Sequence, residues 1–447
     1  MGRPRKLKPG ALVEVEIESL DSNVVGHGKT ATGESVEVIG ALPGESVTAR
    51  IEHVTGSGRT FARLDSVLRP SNERRPSPCP HFQGDPRAPK LACGGCDFLH
   101  VDRDFELRVK KAKIEAALGV AVEPPLGRRP ELGYRALAKL VADGTTLGSY
   151  APWTHSVASM DGCPVHAPIV EQLAARARTS LGHIECPDLR FVLIRAALAT
   201  SRVVVTLVVR SLSAKGSRAL AVALGELPEV ARVILLENDR ADDVIVGDGP
   251  MELVVDRGPV FDRIGPVELE LAGPAFAQVN PSAAAELYER VATALLGRSP
   301  IADLYAGSGG IGLTLAHKGA TVFEVEANVA AARAIARSAE AMGLSELVRV
   351  LAARVEDALS DLPKLEAIVI NPPRKGASLE VLREVMKRAP VRLVYVSCNP
   401  DSLARDVARM RAECEFEVGS ATPVDLFPKT RHVETVLVAD IHERSSS

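Results

Sequence analysis

Cys398 stands in Tyr395-Val396-Ser397-Cys398-Asn399-Pro400, directly after a run, Arg392 to Val396, patterned as a buried strand. In an open parallel sheet, ligands bind beyond the carboxyl ends of the strands, so a cysteine there is placed for chemistry rather than packing. Asn371 has the same kind of position: the run Glu366 to Ile370 leads into Asn371-Pro372-Pro373-Arg374-Lys375-Gly376. The prolines stiffen that loop, and the Asn371 side chain and carbonyl can meet a planar base or amide. A thiolate has no task in simple N-methylation, but methylation at carbon 5 of a pyrimidine needs one. That carbon becomes nucleophilic only after something adds at carbon 6. Thiolate addition makes an enolate-like centre that attacks a sulfonium methyl. A base must then take the proton from carbon 5 so that the thiolate can be eliminated. Glu434, which closes the stretch Phe427-Pro428-Lys429-Thr430-Arg431-His432-Val433-Glu434, is the candidate base. His432 is the alternative, since a histidine can do the same work on pKa grounds.

A methyl donor needs a site, and Asp303 to Ala316 (DLYAGSGGIGLTLA) has the makings of one. The apolar run from Ile301 to Tyr305 reads as a buried parallel strand, and Ile311, Leu313, Leu315 and Ala316 begin a helix. Between them Gly307, Gly309, Gly310 and Gly312 let the backbone approach a ligand, and the helix N-terminus offers free N–H groups. A second strand, Thr321 to Val325, ends at Glu326, a carboxylate suited to a ribose diol. NAD, FAD or a plain tight turn share the glycine pattern. No phosphate-binding lysine follows the glycines, which argues against a P-loop. The flanking acid favours a nucleoside cofactor, with S-adenosylmethionine (SAM) first.

Cys79, Cys93, Cys96 and Cys163 form a second set. Three are clustered around Cys-Gly-Gly-Cys and one lies far downstream, which fits a four-thiolate site for zinc or an iron–sulfur cluster. A redox CxxC pair lacks its usual strand–CxxC–helix setting here. Of the seven cysteines, disulfides are the weaker use in a chain with no secretory leader pattern. Cys186, like His155, His166 and His183, makes no ligand spacing.

The elements that must position these residues are legible along the chain. Its 447 residues allow two to four domains, and 46% hydrophobic and 25% charged content are those of a globular protein. A net charge of −3 excludes a wholly basic nucleic-acid coat, though not a local basic surface. No run approaches a membrane span, and the cytoplasm is the expected compartment. Short strands at Ala11 to Ile17, Val36 to Ile39, Val47 to Ile51 and Phe61 to Val67, with glycine turns between them, predict a small OB-type barrel over residues 1–70. Residues 71–270 read as a central α+β domain holding the cysteine site. Residues 271–447 read as regular βα alternation, a doubly wound α/β sheet.

Four motifs then occur in one order: Asp-Leu-Tyr-Ala-Gly-Ser-Gly, Asn-Pro-Pro-Arg-Lys-Gly, Tyr-Val-Ser-Cys-Asn-Pro and Phe-Pro-Lys-Thr-Arg-His-Val-Glu. That order resembles the RNA uracil-5-methyltransferase family, in particular its bacterial 23S ribosomal RNA members, over nearly the whole chain. The resemblance implies a class I SAM-dependent methyltransferase domain, a TRAM-type RNA-binding barrel and a [4Fe-4S] cluster on the four cysteines. It implies Cys398 as nucleophile and Glu434 as base, with a flipped uridine as substrate. Phe276-Ala277-Gln278-Val279-Asn280 resembles the family's Phe-x-Gln-x-Asn, so Gln278 is expected at SAM and Phe276 near the base. Tyr305, Gly307, Gly309, Glu326 and Asn371 complete the expected cofactor contacts, and Asn371 also faces the base. Departures are Asn371, where most members have Asp, Ala353-Arg354 near the adenine position, and 13 residues between Cys79 and Cys93. RNA is the expected partner, with no obligate protein partner. The T-loop of transfer RNA is the alternative target, and a non-catalytic RNA-binding protein the alternative function.

Overall fold

The computed structural model describes residues 7–152, 154–240, 244–247, 249–273, 277–388, 390–413 and 415–442. The chain divides into two compact units. The first comprises Met1–Val109, Leu140–Pro164 and Lys429–Arg431; the second comprises Lys110–Lys139, Val165–Pro428 and His432–Ser447.

In the first unit, five strands close into a barrel: Leu12–Leu20, Val25–Lys29, Ser35–Ile39, Ser46–Val54 and Thr60–Arg69, with the fifth between the third and fourth. Period-two alternation makes the wall. Val15 and Ile17 face in while Glu14 and Glu16 face out, and the interior is filled by Val36, Val38, Val47, Ile51 and Leu64 among others. The second strand falls where the sequence suggests only glycine turns. Its Gly28 explains the miss: a Cβ there would lie 2.2 Å from Glu16 O, so a bare backbone lets the two strands close up. The same unit holds the cysteine segment. Arg74 binds the fully buried Glu45 of the barrel through Nε (2.5 Å) and Nη2 (2.7 Å). Three strands at its other end, Leu137–Asp143 (from Leu140 onward), Thr146–Tyr150 and Val157–Ser159, form an antiparallel meander.

In the second unit, a mixed set of strands runs in the order Met251–Asp256, Val230–Glu237, Arg202–Val209, Leu189–Ala197, covered by helices Pro168–Leu181 and Ser217–Gly225. Besides the hairpin Phe261–Ile264 with Val267–Glu270, the unit holds one large sheet. We label its strands β1 (Ile301–Leu304), β2 (Val322–Val325), β3 (Val348–Leu351), β4 (Ala367–Ile370), β5 (Arg392–Ser397), β6 (Glu415–Val424) and β7 (Glu434–His442). Their order is 3-2-1-4-5-7-6; β1 to β5 are parallel, and β7 is antiparallel to both neighbours. β1, β2 and β4 are buried on both faces, which is why they read as largely apolar runs. One face packs helices Pro281–Ala294, Gly310–His317 and Val329–Ala341; the other packs Leu379–Arg388 and Pro400–Glu413. Asn280 and Asn328 start two of these helices by accepting N–H bonds from Ala283 (3.3 Å) and Ala331 (3.0 Å). Each such cap is worth about 1 kcal/mol. Among the described residues no helix is long and apolar enough to cross a membrane.

Candidate functional site

At the carboxyl end of β1 the chain turns through Tyr305 at φ 63°, Gly307 at φ 61° and Gly309 at φ 77° into the helix at Gly310. Glu326, at the end of β2, ties this turn down. One of its oxygens accepts from Gly307 N (2.9 Å), the other from Asn328 N (2.7 Å). A cleft of about 580 Å³ opens there, lined by Tyr305, Glu326, Arg354, Lys375 and Ser378 among others. That volume suits a nucleoside-sized ligand.

Beneath the turn lies a feature that the motif does not advertise. Asp303 accepts from Gly312 N (3.1 Å) and Glu324 lies against it; both carboxyls are buried. Burial pushes Asp303 up to about 7 and Glu324 well above the usual carboxylate range, so Glu324 keeps its proton beside Asp303. A Cβ on Gly312 would lie 2.2 Å from Glu324 Oε1, so this glycine is required by the acid below it as well as by the turn.

The second cluster sits at the ends of β4, β5 and β7. In the antiparallel pair β5–β7, Ser397 is opposite Thr435. Directly opposed residues in such a ladder have Cα atoms about 4.5–5.5 Å apart. Cys398 and Glu434 each adjoin the Ser397–Thr435 pair, and the Glu434 charge acts on the Cys398 thiol. Burial raises the Cys398 thiol and the Glu434 charge raises it further, while Arg374 pulls it down. Glu434 is 6% exposed, and burial pushes its carboxyl up to about 7 against the pull of Arg374. Arg374 thus serves both acids. It was visible in the Asn-Pro-Pro-Arg-Lys-Gly loop, yet sequence reasoning gave it no role; its place four residues beyond a strand end was the available signal.

Asp406 holds this loop and was also missed. It is fully buried and accepts from Ala377 N (2.9 Å) and Tyr395 Oη (2.7 Å). Gly376, at φ 85°, packs onto it, since a Cβ there would lie 2.3 Å from its Oδ2. Asn371 leaves β4 with its N–H on Leu304 O (3.1 Å) and is half-buried between the two clusters. The ring of His432 lies edge-on to Phe427, centroids 6.1 Å apart. Gln278 is half-buried just before the helix capped by Asn280. Phe276 lies outside the described residues.

The four cysteines all fall in the first unit. Cys79 and Cys96 are buried. The Cys79 thiol is pushed up to about 11 by burial, and the charges of Cys163 and Cys93 add to it, so these three are electrostatic neighbours. Cys93 Sγ accepts from Gly95 N (3.3 Å) and Ser149 Oγ (3.2 Å). Among the described residues, no group of three or more His, Cys, Asp or Glu stands in an arrangement that could hold a metal ion. The donor chemistry of the set is that of a metal centre; the arrangement is not a closed chelate.

Sheet order, glycine turn and acidic strand end together define a class I SAM-dependent methyltransferase fold. A family model described as tRNA (Uracil-5-)-methyltransferase matches residues 254–440, and a TRAM domain model matches residues 6–62. An uncharacterised RNA methyltransferase of Geobacter sulfurreducens is 31% identical over 455 residues, covering 96% of this chain and 90% of its own. Another, of Halalkalibacterium halodurans, is 29% identical over 464 residues, covering 96% and 97%. Among solved structures, the Pyrococcus abyssi tRNA (uracil-54, C5)-methyltransferase in complex with S-adenosyl-L-homocysteine has the same fold. It aligns with a TM-score of 0.76 at 22% identity, covering 96% of this chain and 99% of that one. The chain belongs to the RNA uracil-5-methyltransferase family, with an N-terminal TRAM barrel, and catalyses SAM-dependent methylation of uracil carbon 5 in RNA.

Proposed function

We propose that the target is a specific uridine of 23S ribosomal RNA and that residues 271–447 carry the chemistry. Gln278, Tyr305, Gly307, Gly309, Glu326 and Asn371 hold SAM, which supplies the methyl group when bound. Asn371 faces the flipped uracil, where its side-chain carbonyl accepts the imide proton and its amide donates to a uracil carbonyl. Cys398 Sγ adds to carbon 6, forming an S–C bond and sending the electron pair to carbon 5. After methyl transfer, Glu434 removes the carbon 5 proton; the pair reforms the 5,6 double bond and the S–C bond breaks, returning Cys398. The observation that supports this reading is that Cys398 and Glu434 each adjoin the last pair of the β5–β7 ladder, Ser397 with Thr435.

The ribosomal target rests on the cysteine set and the barrel, the two modules by which the sequence resembles the ribosomal members. Methyl transfer from labelled SAM to unmodified ribosomal and transfer RNA, with the labelled nucleotide mapped by mass spectrometry, tests it. Label as 5-methyluridine in 23S RNA supports the reading, and label in transfer RNA alone moves the target to the T-loop.

The four cysteines Cys79, Cys93, Cys96 and Cys163 are proposed to hold a [4Fe-4S] cluster. Buried thiols crowded as Cys79 is have thiolates that need a cation, and hydrogen bonds onto sulfur such as those on Cys93 are of the kind that tune clusters. Iron and acid-labile sulfide in anaerobically purified protein, lost in Cys79→Ser, test it; zinc in their place would overturn it.

A further inference from the structure

Arg195 is a buried cation with no counter-charge among the described residues. It lies on the strand Leu189–Ala197 and is 7% exposed. Among the described residues it has no ion pair and no hydrogen-bond acceptor, and burial alone pushes its guanidinium down to about 10. Buried arginines are ordinarily paired, because an isolated charge away from water costs several kcal/mol.

Its neighbours are cations too. Ala196 N donates to Ala136 O (2.8 Å), so this strand runs beside Arg135–Lys139. Lys139 is still reached by solvent, yet its ammonium is pulled down by partial desolvation and then by Arg195, Arg135 and Arg374. Arg135 spends Nε on Leu137 O (3.1 Å), and no carboxylate among the described residues pairs with it or with Lys139. Arg374 is the guanidinium beside Cys398 and Glu434. The same backbone abuts the Gln278 segment, since Ala136 N donates to Val279 O (2.8 Å). Positive groups gathered this way repel one another unless an anion joins them.

We propose that Arg135, Lys139 and Arg195 seat a phosphodiester group of the RNA next to the uridine that Cys398 attacks. The inference rests on the RNA-methylating reading above and adds the group that grips the backbone there. Guanidinium forks match phosphate oxygens, and a partly dry site strengthens each contact. Holding the backbone fixes the register of the strand while the base is turned out.

RNA affinity as a function of salt tests this on the full-length enzyme, with Lys139→Gln and Arg195→Met beside wild type. Each variant is expected to bind more weakly at low salt. Its slope of log affinity against log salt should fall by about 0.7–0.9, the value of one lost phosphate contact. The KM for RNA rises and that for SAM stays. Arg195→Met should melt no lower than wild type, because it loses no partner among the described residues. An RNA with neutral methylphosphonate linkages flanking the target uridine should weaken binding to wild type but not to Arg195→Met. Unchanged salt slopes overturn the proposal, and so does a lower melting temperature of Arg195→Met, which would mark a structural arginine. Competition by inorganic phosphate with no methylphosphonate effect would assign the seat to a free anion instead. Wild type that methylates no ribosomal RNA defeats the target reading alone, since the salt slope on any bound RNA still reads the phosphate contact.

Discussion

Replacing Glu434 by Gln keeps the size of a buried side chain and removes its ability to take a proton. In the proposed cycle, addition and methyl transfer still occur but the carbon 5 proton stays on. A positioned general base contributes about 10²–10⁴-fold, so elimination should slow by that factor and the methylated RNA should remain attached through Cys398. The assay is release of tritium from RNA labelled at carbon 5 of uridine, run beside a denaturing gel for the protein–RNA adduct. In wild type, release should climb about tenfold per pH unit up to about 7 and then level, because Glu434 must be anionic and its carboxyl is pushed up to about 7. The same burial has a cost in stability. A carboxyl raised from 4.5 to about 7 in the folded protein is harmless below its unfolded value and destabilises increasingly as pH rises through the folded one. Glu434→Gln should therefore match wild type below pH ~4.5 and exceed it by up to about 3 kcal/mol above pH ~7 in reversible denaturant unfolding. Wild-type tritium release without adduct in Glu434→Gln would refute the assignment of the base. A stability difference that does not change with pH would refute the account of its environment.

Cys398→Ala should transfer no methyl to RNA yet bind SAM as wild type does in equilibrium dialysis; turnover by this variant would end the covalent route. Gly312→Ala forces a methyl into Glu324, whose Oε1 would lie 2.2 Å away. It should lower stability by about 1–3 kcal/mol and weaken SAM binding. Adding Glu324→Ala should restore both in a double-variant cycle, and additive losses would show that the clash is not the cause. Asp406→Asn leaves Ala377 N and Tyr395 Oη with a weaker neutral acceptor. It should raise the KM for RNA and lower kcat through the loosened Asn371–Gly376 loop, and unchanged kinetics would show that the loop is held otherwise.

The sequence was most readable where one constraint acted alone. Parallel strands buried on both faces are largely apolar, so β1, β4 and β5 were found nearly to the residue. The barrel was found with one strand short, because Val25–Lys29 carries two glycines where another backbone passes close. The hairpin Phe261–Ile264 with Val267–Glu270 is too short for alternation to speak. Cys398 and Glu434 were legible as reactive types at an element's end, but their nearness was not, because it depends on β7 inserting antiparallel between β5 and β6. Arg374, Asp406 and Glu324 were hidden for a related reason. A charged residue in a loop or strand reads as solvated surface until the fold shows which acid it faces or what buries it.

One cation beside two acids suggests how the steps stay in order. The Cys398 thiol is raised by the Glu434 charge, so the two cannot easily be anions together, and Arg374 favours ionisation of both. Before addition, the preferred state has one negative charge between them, which a single guanidinium can balance. When sulfur bonds to carbon 6, its anion becomes a neutral thioether. Arg374 remains beside Glu434 and favours its ionisation at the stage when a base is needed. When elimination returns the thiolate, Glu434 has already taken the carbon 5 proton and is neutral. The pair again carries one charge. In this scheme, Arg374→Gln should slow both adduct formation and tritium release, whereas a guanidinium serving only the thiol would affect adduct formation alone.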